Sequence, residues 1–221
     1  MKKIKINELE YDFSKYGSLT IHSPIGSAGS VFVNQLFAQV ALIKNANIMS
    51  TDSIFIDHFI NYDLINFKYY DHFKEKDEIY YYIKYLYQLC HQRIIELDLK
   101  YSDTLTAKDY NKNHKIKMNP QFLIINFETL YQNKEIQKMC QFMIDHSQLT
   151  NIYVIDLEKQ QDHSHHFIET DSRIFLNHHT QGYGSIKNNQ YFINKIFYFK
   201  YKNEYEIKSQ ITQKNNKTIN Y

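Results

Sequence analysis

The chain has little proline, glycine, cysteine or arginine. Two prolines and five glycines in 221 residues leave no stretch that reads as a flexible linker. A single domain over residues 1–208 is therefore expected, followed by a polar tail, 209–221, that frays. The two cysteines, Cys90 and Cys140, are too few and too far apart for a disulfide framework or a CxxC metal site. Both sit in apolar helical patterns and read as buried thiols of a reducing compartment. Arginine occurs only at Arg93 and Arg173, so lysine supplies nearly all of the 26 basic side chains. No run reaches the roughly 18 apolar residues of a membrane span. Met1 to Glu10 alternates charged and apolar side chains and lacks the apolar core of a signal peptide. A cytoplasmic location without membrane insertion is expected.

A hydrophobic content of 43% and a charged content of 23% are those of a globular domain able to bury a sizeable core. The formal net charge of +2 is too mild to imply nucleic acid as a partner.

Patterning along the chain alternates between two periods. SLTIH (Ser18–His22) is a short β-rich run. It leads through the small-residue loop SPIGSAGS (Ser23–Ser30) into VFVNQLFAQVALIKN (Val31–Asn45), whose apolar residues recur at helical spacing. SIFID (Ser53–Asp57) reads as a strand and Glu78–Leu99 as a long amphipathic helix, with a polar loop predicted from Tyr101 to Asn119. QFLIINF (Gln121–Phe127) and NIYVIDL (Asn151–Leu157) are continuous apolar runs, the mark of strands buried on both faces. A helix is predicted over Glu135–Asp145 and a short strand over Arg173–Asn177. Gly182–Tyr201 is predicted to be a hairpin turning near Lys187–Asn189. Strands alternating with helices imply βαβ units and an α/β fold with a mainly parallel sheet, closed by a C-terminal antiparallel hairpin.

The strand–loop–helix at Ser18–Asn45 is the context in which a phosphate-binding loop, GxxxxGK[ST], is found. There, glycines let backbone N–H groups wrap phosphates, the lysine neutralises charge and the hydroxyl holds Mg²⁺. Laid on that pattern, Ser23 stands for the first glycine and Ala28 for the second. Gly26 and Ser27 fill the loop, Gly29 takes the lysine's place and Ser30 keeps the hydroxyl. Losing one charge-assisted contact to phosphate costs on the order of 1.5–3 kcal/mol, so binding of ATP and Mg²⁺ is expected to be weak or absent, with no other cofactor.

The order of the blocks resembles the FtsK/SpoIIIE family of P-loop motor ATPases. SLTIHSPIGSAGSVFVNQL is similar to its first block, and SIFIDHFINYDLINF to its second. HQRIIEL, with Arg93 and Glu96, resembles its helical Arg-x-x-Glu-Leu motif. QFLIINFETL resembles its Walker B block. The resemblance implies a P-loop NTPase-like (RecA/FtsK-like) fold with a sensor-type strand at NIYVIDL. It also exposes a second loss. The Walker B aspartate falls at Ile125 or Asn126, and the nearest following carboxylate is Glu128. Within the family the resemblance is greatest to the C-terminal ATPase-like domains of EssC-type type VII secretion proteins. It implies a catalytically inactive binding module whose partner is a secretion substrate or a membrane-anchored ATPase, through which it is recruited to the inner face of the membrane. The alternatives are a weakly nucleotide-binding component of DNA transfer or conjugation and a mobile-element regulator.

Three further constellations invite chemistry. Asp162, His163, His165 and His166, with His178 and His179, hold metal-ligating types but no regular ligand spacing, and read as a solvated loop. Tyr80, Tyr81, Tyr82, Tyr85 and Tyr87 have the rings of a nucleic-acid stacking platform but lack an interleaved basic stripe, and are expected in core or partner packing. Arg93 and Arg173 are expected in ion pairs or on the surface.

Overall fold

The two continuous apolar runs become the centre of a sheet. The computed structural model describes residues 3–24, 27–51, 67–71, 74–100, 106–126, 133–158, 168–170, 172–177, 182–188 and 193–199. The strand expected at Ser53–Asp57, the histidines of the polar loops and the tail after residue 208 lie outside them.

The strands are β1 (Lys3–Ile6), β2 (Leu9–Asp12), β3 (Leu19–His22), β4 (Asn47–Ser50), β5 (Phe67–Tyr69), β6 (Gln121–Ile125), β7 (Ile152–Glu158), β8 (Ser172–Leu176), β9 (Tyr183–Asn188) and β10 (Ile193–Tyr198). The helices are α1 (Phe13–Tyr16), α2 (Gly29–Ala41), α3 (Lys76–Lys100), α4 (Ala107–Asn113), α5 (Lys134–Asp145) and α6 (Ser147–Thr150). Eight strands form one sheet in the order β10-β9-β8-β3-β7-β6-β4-β5, and β1 and β2 form a separate antiparallel pair. Strands β8 through β5 in that order run parallel; β9 and β10 continue it antiparallel. The predicted parallel sheet and late hairpin are both present.

Alternation along the central strands divides the interior in two. Phe122 and Ile124 of β6, with Tyr153 and Ile155 of β7, join Phe32, Leu36 and Phe37 of α2 in one cluster. Leu123 and Ile125, with Ile152 and Val154, join Ile79, Ile83 and Leu86 of α3 and Met139, Cys140 and Met143 of α5 in the other. Each such side chain, fully buried, contributes about 1.5–3 kcal/mol of transfer free energy. Helix α2 is buried almost all round because the β1–β2 pair adds Ile4, Ile6, Leu9 and Tyr11 to its cluster. The Tyr11 hydroxyl lies 3.1–3.2 Å from the carbonyl oxygens of Tyr16, Gly17 and Ser18, which fixes the turn leading into β3.

Residues 107–113, predicted as loop, form α4. Its N-cap is Thr106, whose hydroxyl accepts from the Asp109 N–H while the Asp109 carboxylate accepts from the Thr106 N–H. This reciprocal capping box stabilises a helix that has few apolar residues of its own.

Arg93, the family-like residue of α3, is buried at 6% exposure. Its Nη1 donates to the Thr150 carbonyl at 2.6 Å and its Nη2 to the Asn119 carbonyl at 2.9 Å. Those carbonyls stand just before β7 and β6, so one guanidinium ties α3 to the start of both central strands. Burial pushes its pKa down to about 10, and the group stays cationic at neutral pH. Glu96, one turn on, accepts from the hydroxyl of Tyr110 in α4. Arg93→Met is expected to lower stability by about 2–4 kcal/mol, since two buried carbonyls lose charge-assisted donors. Arg93→Lys should lose nearly as much, because an ammonium lacks the fork that spans both. Urea unfolding checks both; an Arg93→Met midpoint equal to that of the parent would contradict this role.

Candidate functional site

Strand β3 has parallel partners on both sides, and the chain leaves it in one direction toward β4 while β7 leads in the other toward β8. In open α/β sheets this reversal opens a crevice at the carboxyl ends of the strands, where ligands bind. The loop SPIGSAGS begins there. The Ser23 N–H donates to the Glu158 carbonyl at 2.8 Å, extending the β3–β7 ladder by one step, and the Ser27 N–H donates to the Pro24 carbonyl at 3.0 Å. Gly26 lies outside the described residues.

Ala28 is the N-cap of α2 and adopts the left-handed conformation, φ 59° and ψ 30°, without a side-chain cap. An L-residue is disfavoured there by about 1–2 kcal/mol. The phosphate-loop pattern has glycine at this position, a residue that the left-handed backbone here would suit better than alanine. Gly29 follows under a different constraint. A Cβ on it would meet the Ser23 Cβ at 2.5 Å and the Ser23 hydroxyl at 2.9 Å. The place of the lysine is thus closed by the side chain that opens the loop. The Ser27 side chain is fully buried, and its hydroxyl has no hydrogen-bond partner among the described residues. Ser30 is exposed on the first turn of α2. The first helix-type bond runs from the Phe32 N–H to the Ala28 carbonyl. The N–H groups of Gly29, Ser30 and Val31 therefore precede the ladder and retain the weak anion attraction of any helix start.

The second candidate motif sits at the end of β6, with β7 between it and β3. Ile125 is fully buried in the apolar cluster beneath α3 and α5. Asn126, 7% exposed, is the first polar residue beyond the strand. Neither brings a carboxylate to the crevice, and Glu128 lies outside the described residues. Arg93 and Glu96 do not join this site. They serve the opposite end of the sheet, where the parallel strands begin.

Other polar groups near the crevice were not singled out from sequence. His22, the last residue of β3, places Nδ1 3.5 Å from Oε2 of Glu158, the last residue of β7. Asp156 is buried at 1% exposure between Thr20 on β3 and Ile125 on β6. Thr20 shares a 2.8 Å hydrogen bond with Thr170. The signal for Asp156 was legible as a carboxylate inside an apolar run. The His22–Glu158 pairing depends on register and was not. Burial, with the Asp156 charge adding to it, pushes the Cys140 thiol far above its ordinary range, so this cysteine is no nucleophile. Among the described residues no three His, Cys, Asp or Glu side chains are grouped to hold a metal.

Solved structures share this fold. The pCW3 conjugation coupling protein TcpA, solved with ATPγS, superposes with a TM-score of 0.72 at 15% identity over 93% of this chain and 66% of its own. ATPases 2 and 3 of EssC from Geobacillus thermodenitrificans give 0.68 at 14% identity, over 95% of this chain and 45% of theirs. ATPases 2 and 3 of Thermomonospora curvata EccC, in complex with a signal sequence peptide, give 0.70 at 12% identity, over 94% and 43%. The fold is that of the FtsK/SpoIIIE-type P-loop ATPases. No protein-family model and no curated protein sequence matches the chain. The chain spans less than half of these EssC and EccC structures and about two-thirds of TcpA. In this fold β3 leads into the candidate phosphate loop, and β6 ends at Ile125, the candidate Walker B position. No helix among the described residues is long and apolar enough to cross a membrane.

Two substitutions test the loop's packing through denaturant unfolding. Ala28→Gly is expected to stabilise by about 1 kcal/mol, by relieving the left-handed alanine. Gly29→Ala is expected to destabilise by about 1–3 kcal/mol, because its Cβ meets the root of Ser23 rather than a yielding side-chain tip. A Gly29→Ala protein as stable as the parent would mean that the loop is not packed against Ser23.

Proposed function

We propose that the chain is a catalytically inactive ATPase-like binding module of type VII protein secretion. It recognises a peptide signal on a secreted protein or docks on a membrane-anchored ATPase, and in doing so regulates the secretion motor. The observation that carries this reading is the closure of position 29 by Ser23, together with Ile125 or Asn126, neither of them acidic, at the place of the Walker B aspartate. Phosphoryl transfer depends on cationic and metal stabilisation of the phosphates and on a carboxylate that holds the metal or orients water. Among the described residues the lysine's place is taken by Gly29, and neither Ile125 nor Asn126 supplies a carboxylate. What remains is a scaffold whose relatives by fold include secretion ATPases, one of them solved with a signal sequence peptide bound. In this reading ATP and Mg²⁺ are not working cofactors, and the chain acts at the cytoplasmic side of the membrane through its partner.

A second reading, a weakly nucleotide-binding component of DNA transfer, draws support from the likeness to TcpA. The net charge of +2 speaks against it, since phosphate-backbone binding needs a concentrated basic surface.

Phosphate release from Mg·ATP separates active from inactive readings. Neither the parent chain nor Gly29→Lys is expected to exceed the protein-free background, because the lysine alone does not supply the Walker B carboxylate. Sustained turnover by the parent would contradict the proposal. Turnover by Gly29→Lys would show that the end of β6 still supports catalysis.

A further inference from the structure

A cleft of about 630 Å³ lies at the β5 edge of the sheet, between that edge and the first half of α3. Its size falls within the roughly 300–1,000 Å³ of ordinary ligand sites. Five rings line it: Phe67, Tyr70, Tyr81, Tyr82 and Tyr85. Phe67 packs with the α2-side cluster and Tyr70 and Tyr82 with the α3-side cluster, so the cleft gathers residues from both sides of the sheet. Asn47, Phe67 and Gln121 are each the first residue of their parallel strand. This places the cleft toward the end of the sheet opposite the phosphate loop.

The rings are not equivalent. Tyr82 is half-buried, and burial together with its neighbours Tyr85 and Tyr70 pushes its phenol up to about 12. Its centroid stands 6.1 Å from that of Tyr70 and 5.9 Å from that of Tyr85. Tyr81 and Tyr85, by contrast, are 67% and 54% exposed. A fixed aromatic floor with two open rings is the arrangement that buries a bulky side chain at low entropic cost.

Two opposite charges complete the lining. Lys68, on β5, holds its ammonium 5.9 Å from the Tyr82 ring, and Glu78 stands in the first turn of α3. Among the described residues neither has an ion-pair partner. A bare cation as occupant would compete with Lys68 for the Tyr82 face. A nucleic acid strand would meet the carboxylate of Glu78. An occupant that complements all of these groups has an apolar body between one acidic and one basic side chain.

We propose that this cleft, rather than the vestigial nucleotide crevice, is where the chain binds a peptide segment presenting a bulky aromatic or aliphatic side chain flanked by an acidic residue facing Lys68 and a basic residue facing Glu78. The proposal rests on the reading of the chain as a peptide-recognising module and names the surface that does the recognising.

The test uses the full chain and fluorescein-labelled short peptides, each with one phenylalanine between a glutamate and a lysine, read by fluorescence anisotropy. Control peptides carry two glutamates, two lysines, or alanine in place of phenylalanine. The glutamate–phenylalanine–lysine peptides are expected to bind best. Lys68→Glu and Glu78→Lys, both at exposed positions, should each weaken them about 5-fold, and the two together should restore binding with the charge order reversed. Tyr81→Ala should weaken binding about 10-fold, and Mg·ATP should not displace the peptide. Peptide binding unmoved by these variants would overturn the cleft and leave peptide recognition standing at another surface. Binding to no peptide would overturn recognition itself. Displacement by oligothymidylate would assign the cleft to single-stranded nucleic acid and overturn the proposal.

Discussion

The pairing of β3 with a parallel strand on each side is the constraint from which the rest of the site follows. A central strand so held has no freedom to shift register, and its last residues sit where the sheet's connections diverge. Ser23 is then fixed by its hydrogen bond to Glu158, and Gly29 must begin α2 directly against it. The strand before the loop and the helix after it are both anchored, one in the ladder and the other between the sheet and the β1–β2 pair. Arg93 performs the matching task at the far end, where its two hydrogen bonds hold the starts of β6 and β7 against α3.

The two ends of the sheet have thus diverged in what they offer. At the carboxyl ends α2 starts from a left-handed N-cap at Ala28, with N–H groups ahead of its ladder and glycine at the place that the phosphate-loop pattern gives to lysine. Position 29 is not merely without a lysine; it has been filled by the packing of its neighbours. Toward the opposite end a cleft has five rings and two charges that lack an ion-pair partner among the described residues.

Much of the frame was legible in the sequence because burial on both faces leaves continuous apolar runs, as in Phe122–Ile125 and Ile152–Ile155, and one-sided burial leaves a helical stripe, as in Ile79, Ile83 and Leu86. Short elements were less legible. β4 and β5 are held by neighbours rather than by propensity, and α4 is stabilised by its Thr106–Asp109 cap. Met1 to Glu10 was read only for its lack of a signal peptide, although its alternation is that of the observed strand pair. In the candidate site, the absent lysine and the absent carboxylate could be read by position. The closeness of Gly29 to Ser23 could not, because it depends on how α2 leaves the loop. Nor could the role of Arg93, whose acceptors lie 26 and 57 residues away, or the meeting of β5 with α3 that forms the cleft.

The central claim is that the crevice at β3 no longer holds nucleotide. Calorimetric titration of Mg·ATP into the purified chain, carried to millimolar concentration, tests it most directly. The account predicts no saturable heat. A saturable isotherm would contradict it, and would mean that the N–H groups at the start of α2 and the Ser30 hydroxyl suffice to bind phosphate without the lysine.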